Sequence, residues 1–584
     1  MKKELLTGNE AIARGAYEAG VTVATAYPGT PSTEIIETIS QYRDIYAEWS
    51  PNEKVALEVG IGASIAGARV LVAMKHVGVN VAADPLLTFS YTGVNGGLVL
   101  VSADDPGMHS SQNEQDNRFY GRFAKIPVLE PSDSQEAKDF VRIALEISEQ
   151  FDTPVMLRIT TRIAHSRSPV ELGERMVFSL KDYEKNPRKY VMIPAYARQR
   201  HLLVEQRRKA LEDYSEKTPL NFVEWGDHKL GVITSGVSYQ YAREVMGNVS
   251  YLKLGMTNPL PRKLIEDFVK QVDEVYVVEE LEPFMEEQIR SWGLKVIGKD
   301  LLPRTGELSP ELVAEKILGE NIKTEVAATV EEELPMRPPT LCPGCPHRGV
   351  FYVLRKLKLV VTGDIGCYTL GTLPPLESLD TCICMGASIG TALGMEKARG
   401  REFARKVVAV IGDSTFMHSG ITGLLDVVYN LGTVTTIILD NSTTAMTGHQ
   451  DHPGTGITVK KQSSKPVDLP ALIKALGIER VQVVDPYDLK QLEDIVRQEV
   501  SADEPSVVIT RRACILLDKK KEGQAYEVEL DKCTGCKSCM KLGCPSIAFR
   551  ENTAQIDDTL CNGCGLCSQV CKFGAIRKAG EAGE

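Results

Sequence analysis

The sequence has no excess of positive charge and no start typical of a signal peptide. Its 584 residues include 67 Lys and Arg against 78 Asp and Glu, which gives a formal net charge of −11. Because binding to phosphates requires a basic face, this balance argues against a nucleic-acid partner. The start, MKKELLTGNEAIARG, lacks the apolar stretch that follows the lysines of a signal peptide. We therefore expect a cytoplasmic protein.

The chain also lacks a continuous apolar run that would predict a membrane span. The most apolar long stretch, at 77–105, is interrupted by Asn80, Asp84, Pro85 and Asn95, which a membrane helix rarely tolerates. The hydrophobic content of 43% and the charged content of 25% are ordinary for a globular protein. The length predicts three or four domains.

The only repeat is a doubled cysteine motif near the end of the chain. CTGCKSCMKLGCP begins at 533 and CNGCGLCSQVC begins at 561, and together they hold eight of the fourteen cysteines. In a reducing cytoplasm such closely spaced cysteines indicate metal ligands rather than disulfides. The spacing is that of a two-cluster ferredoxin, in which the fourth cysteine of each run binds the other cluster. The crossed pattern predicts two [4Fe–4S] ligand sets: Cys533, Cys536, Cys539 and Cys571, and Cys561, Cys564, Cys567 and Cys544.

A pair of zinc knuckles is the alternative interpretation of this tail. It is disfavoured because zinc sites rarely need three cysteines at this spacing followed by a fourth, twice over, with Cys544-Pro at the end of the first run. One departure from the ferredoxin pattern is the gap of four residues between Cys539 and Cys544, where three are usual. The tail predicts an electron conduit, which implies a redox reaction elsewhere in the chain.

The rest of the chain alternates β-branched runs with helical stretches, which is typical of parallel α/β sheets. One such unit covers residues 1 to about 165, and a charged segment at 183–220 is expected to form an exposed helix and connector. A second α/β region contains KLGVITSG, SYLKLG and EVYVVEE. A third α/β region contains KVVAVIGDS, TVTTIILDN and PSVVITRR.

In the third α/β region, one strand ends at Gly412-Asp413-Ser414. Asn441 follows the next strand and lies 28 positions after Asp413. The pair is similar to the Gly-Asp-Gly…Asn motif of thiamine-diphosphate enzymes, with Ser414 in place of the last glycine. A diphosphate is neutralised by Mg²⁺, which prefers oxygen ligands. Asp413, Asn441 and the Thr443 carbonyl would supply them where parallel strands end. An ordinary strand–turn–helix is the alternative.

Thiamine enzymes also need a glutamate at N1′ of the aminopyrimidine ring. The segment SPNEKVALEVGIGASIAGARV offers Glu53 and Glu58. Taken alone, Glu53 is better explained as an acidic residue that complements a helix N-terminus. The segment GIGASIAG does not fit the G-x-G-x-x-G spacing of a dinucleotide site.

Several motifs together resemble the 2-oxoacid:ferredoxin oxidoreductases, and in particular the branch that oxidises arylpyruvates. They occur in order along essentially the whole chain, and the branch is known for an irregular first ferredoxin motif. The motifs are YPGTPSTEI at 27–35, NEKVALEVGIGASIAGAR at 52–69, CPGCPHRG at 342–349, GDIGC at 363–367, the GDS…DN pair and the tail.

The resemblance implies an α/β chain with two thiamine-diphosphate-binding domains, of the pyrimidine (Pyr) and diphosphate (PP) types. It also implies a domain like the C-terminal domain of transketolase and a ferredoxin domain with two [4Fe–4S] clusters. The boundaries that we predict are 1–180 for the Pyr domain, 181–323 for the transketolase-like domain with its connector, 324–340 for a linker, 341–517 for the PP domain and 524–584 for the ferredoxin domain.

The resemblance assigns roles to individual residues. Glu53 matches the N1′ glutamate, and Thr30 matches a threonine near the substrate and the thiazolium ring. Gly366 and Cys367 lie where the fold approaches the cofactor. Relatives also hold a third cluster near the thiamine, and Cys342, Cys345, Cys367 and Cys514 match its pattern; the alternative is that Cys514 is a buried strand cysteine.

The implied reaction is the oxidative decarboxylation of an arylpyruvate to an aryl-acyl-CoA and CO₂, with electrons passing to an external ferredoxin. Coenzyme A would react at a smaller beta subunit, so we expect a hetero-oligomer. Two alternatives stay open: a non-oxidative thiamine-dependent decarboxylase or carboligase, and an electron-transfer subunit with a vestigial catalytic fold. A different 2-oxoacid substrate also stays open.

Overall fold

The structure is a computed structural model that describes residues 2–320, 338–517 and 523–580. The chain divides into two compact units, Met1–Glu331 and Glu332–Glu584, which we call the first and second unit. Most of the predicted linker at 324–340, namely residues 324–337, lies outside the described residues. Among the described residues, no helix combines the length and the apolar character needed to cross a membrane.

A seven-stranded sheet forms the centre of the first unit. Six of its strands run parallel, and the short strand Met256–Asn258 pairs antiparallel with Val128–Leu129 at one edge. Its three central strands are buried along their whole length, as expected for a parallel sheet covered on both faces. In order across the sheet the strands are Met256–Asn258, Val128–Leu129, Val155–Thr160, Leu98–Asp104, Val70–Lys75, Val23–Ala26 and Tyr46–Trp49.

Helices connect these strands, as the alternating pattern predicts. The helix Gly8–Glu18 begins with a capping box, in which Thr7 and Glu10 each bind the other's backbone N–H. An antiparallel ribbon of Lys3–Thr7 with Arg167–Glu171 was not predicted. The helices of this layer are Gly8–Glu18, Thr33–Ile39, Glu53–Ile65, His76–Val81, Ala83–Thr92, Arg118–Ala124, Ser134–Phe151 and Thr161–His165.

A four-stranded sheet lies in the second half of the first unit. Its order is Glu274–Val278, Asp227–Thr234, Val249–Leu254 and Asn221–Glu224, with only the last strand antiparallel. The predicted charged segment contains the helix Pro194–Ser215, which buries Arg200, Val204 and Arg207 rather than lying wholly exposed. The remaining helices of this half are Pro187–Tyr190, Gly236–Met246, Arg262–Val269, Phe284–Ser291, Pro310–Val313 and the π-helix Ala314–Leu318.

A six-stranded parallel sheet forms the centre of the second unit. Its order is Thr381–Cys382, Val360–Gly363, Val407–Gly412, Thr435–Asp440, Ser506–Arg511 and Arg480–Val484. The α-helices around it are His347–Leu357, Ala387–Arg399, Arg401–Ala404, Asp413–Thr415, Ile421–Tyr429, Leu469–Ala475 and Leu489–Val500; Cys367–Thr372 is a 3₁₀-helix and Phe416–Gly420 a π-helix.

The cysteine-rich tail folds as two small antiparallel ribbons with short helices between them. The ribbons pair Tyr526–Val528 with Ile576–Lys578 and Ile547–Arg550 with Thr553–Ile556. The helices are the 3₁₀-helix Cys539–Leu542 and the α-helix Leu566–Val570. Leu542, Leu566 and Val570 belong to the same hydrophobic core as the sheet residues Val408 and Ile437. The tail is therefore packed onto the sheet of the second unit as part of one core.

Candidate active site

Three oxygen atoms meet where two neighbouring strands of the second unit end. Gly412 pairs with Leu439 in the parallel register, so Asp413 and Asn441 follow adjacent strand ends and both are buried. The side-chain oxygen of Asn441 lies 2.9 Å from the carbonyl oxygen of Thr443 and 3.3 Å from Oδ1 of Asp413. We call these three atoms the oxygen site.

The oxygen site has the donor set and the spacing of a Mg²⁺ site. With the side-chain oxygen of Asn441 pointing inward, three acceptors face one another without a hydrogen between them. With the amide reversed, its nitrogen would instead donate to Thr443 and Asp413. Ligand distances of 2.0–2.1 Å place neighbouring oxygens of octahedral Mg²⁺ about 2.9 Å apart. The inward oxygen is the orientation that a bound cation requires, so the residues predicted from the sequence fit the metal.

Backbone groups hold the carboxylate of Asp413 in place. The N–H of Ser414 donates to Oδ1 at 2.8 Å, and the N–H of Ser442 donates to Oδ2 at 2.8 Å. Nε2 of buried His452 lies 3.2 Å from the same Oδ2. Nδ1 of His452 accepts from the N–H of Gly454 at 3.1 Å, so a ring proton on this side chain would lie on Nε2, the nitrogen that faces Asp413. The sequence analysis did not single out His452.

The two glycines predicted near the cofactor make room for one aromatic ring. A Cβ added at Gly366 would lie 2.3 Å from the ring of Tyr368, and one added at Gly412 would lie 2.7 Å from it. The hydroxyl of Tyr368 donates to the carbonyl of Ile365 at 2.8 Å. The hydroxyl of Ser414 accepts from Thr444 at 2.8 Å. Contact of these residues with a cofactor stays a prediction.

His347 also lies within electrostatic reach of the oxygen site. It begins the helix His347–Leu357 and is buried. Burial lowers the pKa of His347 to about 4, although the charge of Asp413 acts in the opposite direction. The ring is therefore neutral near pH 7, and its edge faces Tyr368 with ring centres 5.9 Å apart.

The four cysteines predicted to hold a third cluster lie close enough for their charges to influence one another. The pKa of Cys345 is raised to about 12, mainly by burial and also by the charges of Cys342 and Cys367. Burial likewise raises the pKa of Cys367 to about 11, with Cys514 and Cys342 as further causes. The N–H of Cys514 donates to the carbonyl of Asn441 at 2.9 Å, which ties this cysteine group to the oxygen site.

The eight tail cysteines line two cavities in the crossed combination that the spacing predicts. The outer cavity is lined by Cys533, Cys536, Cys539 and Cys571. The inner cavity is lined by Cys544, Cys561, Cys564 and Cys567. Cys544 reaches the inner set despite the four-residue gap before it. That these cysteines bind iron stays a prediction.

In the described residues, no three His, Cys, Asp or Glu side chains are grouped closely enough to hold a single metal ion.

Arg348 joins the inner cavity to the loop that carries Cys342 and Cys345. Its guanidinium donates to the carbonyls of Leu542 at 2.7 Å, Leu341 at 2.5 Å and Cys342 at 3.1 Å. Gly344 and Arg348 both line the inner cavity. The amide of Asn562 adds a bond of 2.7 Å to the carbonyl of Pro343. These contacts fix the tail against the loop Cys342–Cys345.

In the first unit, the structure separates the two candidate glutamates by burial. Glu53 begins the helix Glu53–Ile65 and is 5% exposed. A Cβ added at Gly78 would lie 2.7 Å from Oε1 of Glu53, so only glycine leaves room for the carboxylate. Glu58 is exposed and pairs with Lys54. The burial of Glu53 is the feature expected of the N1′ glutamate.

A buried lysine, which the sequence analysis missed, lies beside Thr30. Nζ of Lys75 donates to the carbonyl of Ser110 at 2.5 Å, and the hydroxyl of Ser110 is 3.4 Å from the carbonyl of Thr30. Burial lowers the pKa of Lys75 to about 8, although the carboxylates of Asp105 and Glu53 act in the opposite direction. A lysine at the end of the apolar strand VLVAMK was the available signal.

Three family models match successive parts of the chain. "Pyruvate flavodoxin/ferredoxin oxidoreductase, thiamine diP-bdg" matches residues 14–218. "Thiamine pyrophosphate enzyme, C-terminal TPP binding domain" matches 364–510, and "4Fe-4S binding domain" matches 554–577. The site and these matches define a thiamine-diphosphate-binding oxidoreductase chain with a 4Fe–4S domain. The predictions of an α/β fold, of thiamine diphosphate and of 4Fe–4S clusters are confirmed.

Relatives of nearly the same length narrow the class further. The subunit IorA of indolepyruvate oxidoreductase from Archaeoglobus fulgidus is 44% identical over 99% of this chain and 98% of its own. IorA from Pyrococcus horikoshii is 44% identical over 99% and 97%, and IorA from Methanothermobacter marburgensis is 41% identical over 99% and 97%. The chain belongs to the IorA family of indolepyruvate oxidoreductase subunits.

Proposed function

We propose that the chain catalyses the ferredoxin-dependent oxidative decarboxylation of arylpyruvates, such as indolepyruvate and phenylpyruvate, to aryl-acyl-CoA and CO₂. The names of the relatives support the substrate class. The observation that carries the proposal is that one unit contains both the oxygen site and the two cysteine-lined cavities. A non-oxidative thiamine enzyme would not need the cavities.

Each unit by itself offers residues suited to one part of thiamine diphosphate. Asp413, Asn441 and the carbonyl of Thr443 would hold the Mg²⁺ of the diphosphate, and Glu53 would bind N1′ of the aminopyrimidine. When bound, the cofactor supplies the carbon nucleophile and the electron sink for decarboxylation. The backbone donors of Ser414 and Ser442 keep the carboxylate of Asp413 oriented.

The cysteines supply places for the electron carriers. The tail sets would each hold one [4Fe–4S] cluster, and Cys342, Cys345, Cys367 and Cys514 would hold a third between the oxygen site and the tail. The mutual electrostatic influence of these four thiols supports the third site. Replacing Cys514 with Ser should then lower the iron content by about one third while both tail clusters keep their spectra; unchanged iron would make Cys514 a structural strand cysteine.

The partners follow from the reaction and from the names of the relatives. We propose a smaller beta subunit, where coenzyme A would react, and an external ferredoxin that accepts the electrons in the cytoplasm. The relatives are each named as one subunit of an oxidoreductase, which supports a hetero-oligomer. The acidic net charge of −11 gives no support to a nucleic-acid partner.

The test is the complete enzyme, purified without oxygen together with the smaller subunit. Iron and thiamine would be quantified, and a panel of 2-oxoacids would be offered with coenzyme A and a dye acceptor. We expect arylpyruvates to reduce the dye fastest, and Asp413→Ala to abolish that reduction. Asp503→Ala, which changes a surface ion pair with Arg405, is the matched control.

Each alternative has its own outcome in this experiment. Aldehyde formation without dye reduction would indicate a non-oxidative decarboxylase. Purified enzyme without thiamine diphosphate would indicate an electron-transfer subunit with a vestigial catalytic fold. Faster reduction with a branched-chain or another 2-oxoacid would leave the chemistry in place and replace the substrate class. Wild-type rates in Asp413→Ala would refute the role of the oxygen site.

A further inference from the structure

The two cysteine cavities of the tail differ in what covers them. The inner cavity is also lined by Gly344 and Arg348, which precede the tail in the chain, and its cysteines Cys561 and Cys567 are buried. The outer cavity is lined only by residues of the tail itself. One of its four cysteines, Cys536, is exposed. The outer cysteine set is therefore the more exposed of the two.

The surface around Cys536 is basic, although the chain as a whole is acidic. Lys532 and Lys537 line the outer cavity, and no Asp or Glu is among its described lining residues. Lys572 follows Cys571 and is exposed. Acidic residues close by are Glu529, which binds Lys532 and Arg577, exposed Asp531, and exposed Glu551, whose neighbour Asn552 approaches Gly535. The full chain has a net charge of −11. The lysine-rich surface around Cys536 is therefore a local region of opposite sign.

An exposed apolar side chain lies inside this basic rim. Phe573 lines the outer cavity and is 51% exposed, and Leu530 is 63% exposed. We call Lys532, Cys536, Lys537, Lys572 and Phe573 the outer face. An apolar centre with a charged rim is the usual composition of a transient protein interface, in which the rim sets the rate of encounter.

We propose that the outer face is the docking site for an acidic one-electron carrier of the ferredoxin class, which takes its electron past Cys536. The proposal rests on the function proposed above. Charge complementarity selects the partner: the lysines attract an acidic protein, whereas the chain's own acidic surface elsewhere would be repelled by such a carrier. Phe573 would supply the desolvated contact at the centre, close to the exposed sulfur.

The experiment reverses two charges on the outer face in the complete, cluster-loaded enzyme. Lys537→Glu with Lys572→Glu is compared with Lys397→Glu and Lys474→Glu, which change the same charge on helices Ala387–Arg399 and Leu469–Ala475, away from both cavities. Binding of an acidic ferredoxin is measured at low and high salt. Turnover is measured with ferredoxin and with methyl viologen, a small dication.

We expect the outer-face variant to bind ferredoxin about tenfold more weakly at low salt and to lose most of the salt dependence seen in the wild type. Its rate with methyl viologen and its iron content should be unchanged, and the control variant should resemble the wild type throughout. A further variant, Phe573→Ser, should weaken ferredoxin binding without changing the salt dependence.

Three results would overturn the proposal, and none coincides with failure of the proposed function, which the methyl viologen rate reports separately. The first is wild-type affinity for ferredoxin in the outer-face variant. The second is an equal loss in the control variant, because only total charge would then matter. The third is loss of the smaller subunit from the complex, which would make the outer face a subunit interface.

Discussion

Replacing Arg348 with Met tests whether this residue holds the tail in place and sets the reduction potential at the neighbouring cysteine sites. Arg348 is 1% exposed, and its guanidinium donates to three carbonyls, two of them in the loop before it and one in the tail. A hydrogen bond from a charged group contributes about 1.5–3 kcal/mol, and buried carbonyls left without a donor add a cost. Methionine recovers part of this by apolar packing. We therefore expect a loss of about 3–5 kcal/mol of stability in the second unit.

The same substitution should change the electronic properties of the neighbouring cysteine sites. Burial raises the pKa of Cys345 to about 12 and of Cys564 to about 11, and the charge of Arg348 lowers both. The cation therefore acts on the inner cavity and on the Cys342–Cys345 loop together. Loss of this charge interaction, worth about 1–2 kcal/mol, should lower the reduction potential of a cluster bound at either place by on the order of 50–100 mV.

The assay combines unfolding with a redox titration of the complete enzyme. Arg348→Met should lower the melting temperature of the second unit by about 10 °C and make the tail at 524–584 more easily released by limited proteolysis. Arg348→Lys is the control, since it keeps the charge but loses the forked geometry; it should lower stability and leave the potentials near those of the wild type. Unchanged stability and potentials in Arg348→Met would refute this account of Arg348.

Three further predictions concern single groups. Glu53→Gln should keep bound thiamine diphosphate, measured by extraction, but lower substrate-driven dye reduction by about 10²-fold or more, because the amide cannot exchange the proton at N1′; a wild-type rate would exclude this role. Lys75 has a pKa near 8 in the folded chain against 10.5 for the free side chain, so between these values the unfolded chain binds more protons and the free energy of unfolding rises with pH. Lys75→Met should lack this rise, which reaches at most about 3 kcal/mol; parallel pH curves in chemical denaturation would contradict it. Cys571→Ser should remove about half of the tail's iron and leave the inner set intact, by iron analysis and electron paramagnetic resonance; loss of both sets would contradict the crossed assignment.

The features that the sequence predicted best are those fixed by local geometry. Asp413 and Asn441 could be paired because parallel strands end at the same edge of a sheet, so two polar residues that follow two apolar strands must lie close together. The tail cysteines could be sorted into two sets because their spacing alone decides which of them can share a cluster. In both cases a few residues of chain determine the contact.

The features that were missed depend on contacts between distant parts of the chain. Arg348 binds the carbonyl of Leu542, 194 positions away, and nothing near Arg348 in the sequence indicates that partner. Lys75 is buried because the loop at Gly29 and Thr30 lies over it, with Gly29 and Lys75 in close approach. The antiparallel strand Met256–Asn258 joins the first sheet from a later part of the chain. Hydrophobic periodicity carries no information on such placements.

One hydrophobic core joins the central sheet of the second unit to the cysteines of the tail, and this has a consequence for electron transfer. Cys345, Cys539 and Cys567 belong to the same hydrophobic core as Ile437 and Leu439 of the central sheet. Protein interiors are packed too densely for such groups to shift independently. The separations between the cysteine sets are therefore set by core packing. A change in core volume beneath the tail should alter electron transfer even when every cysteine is kept.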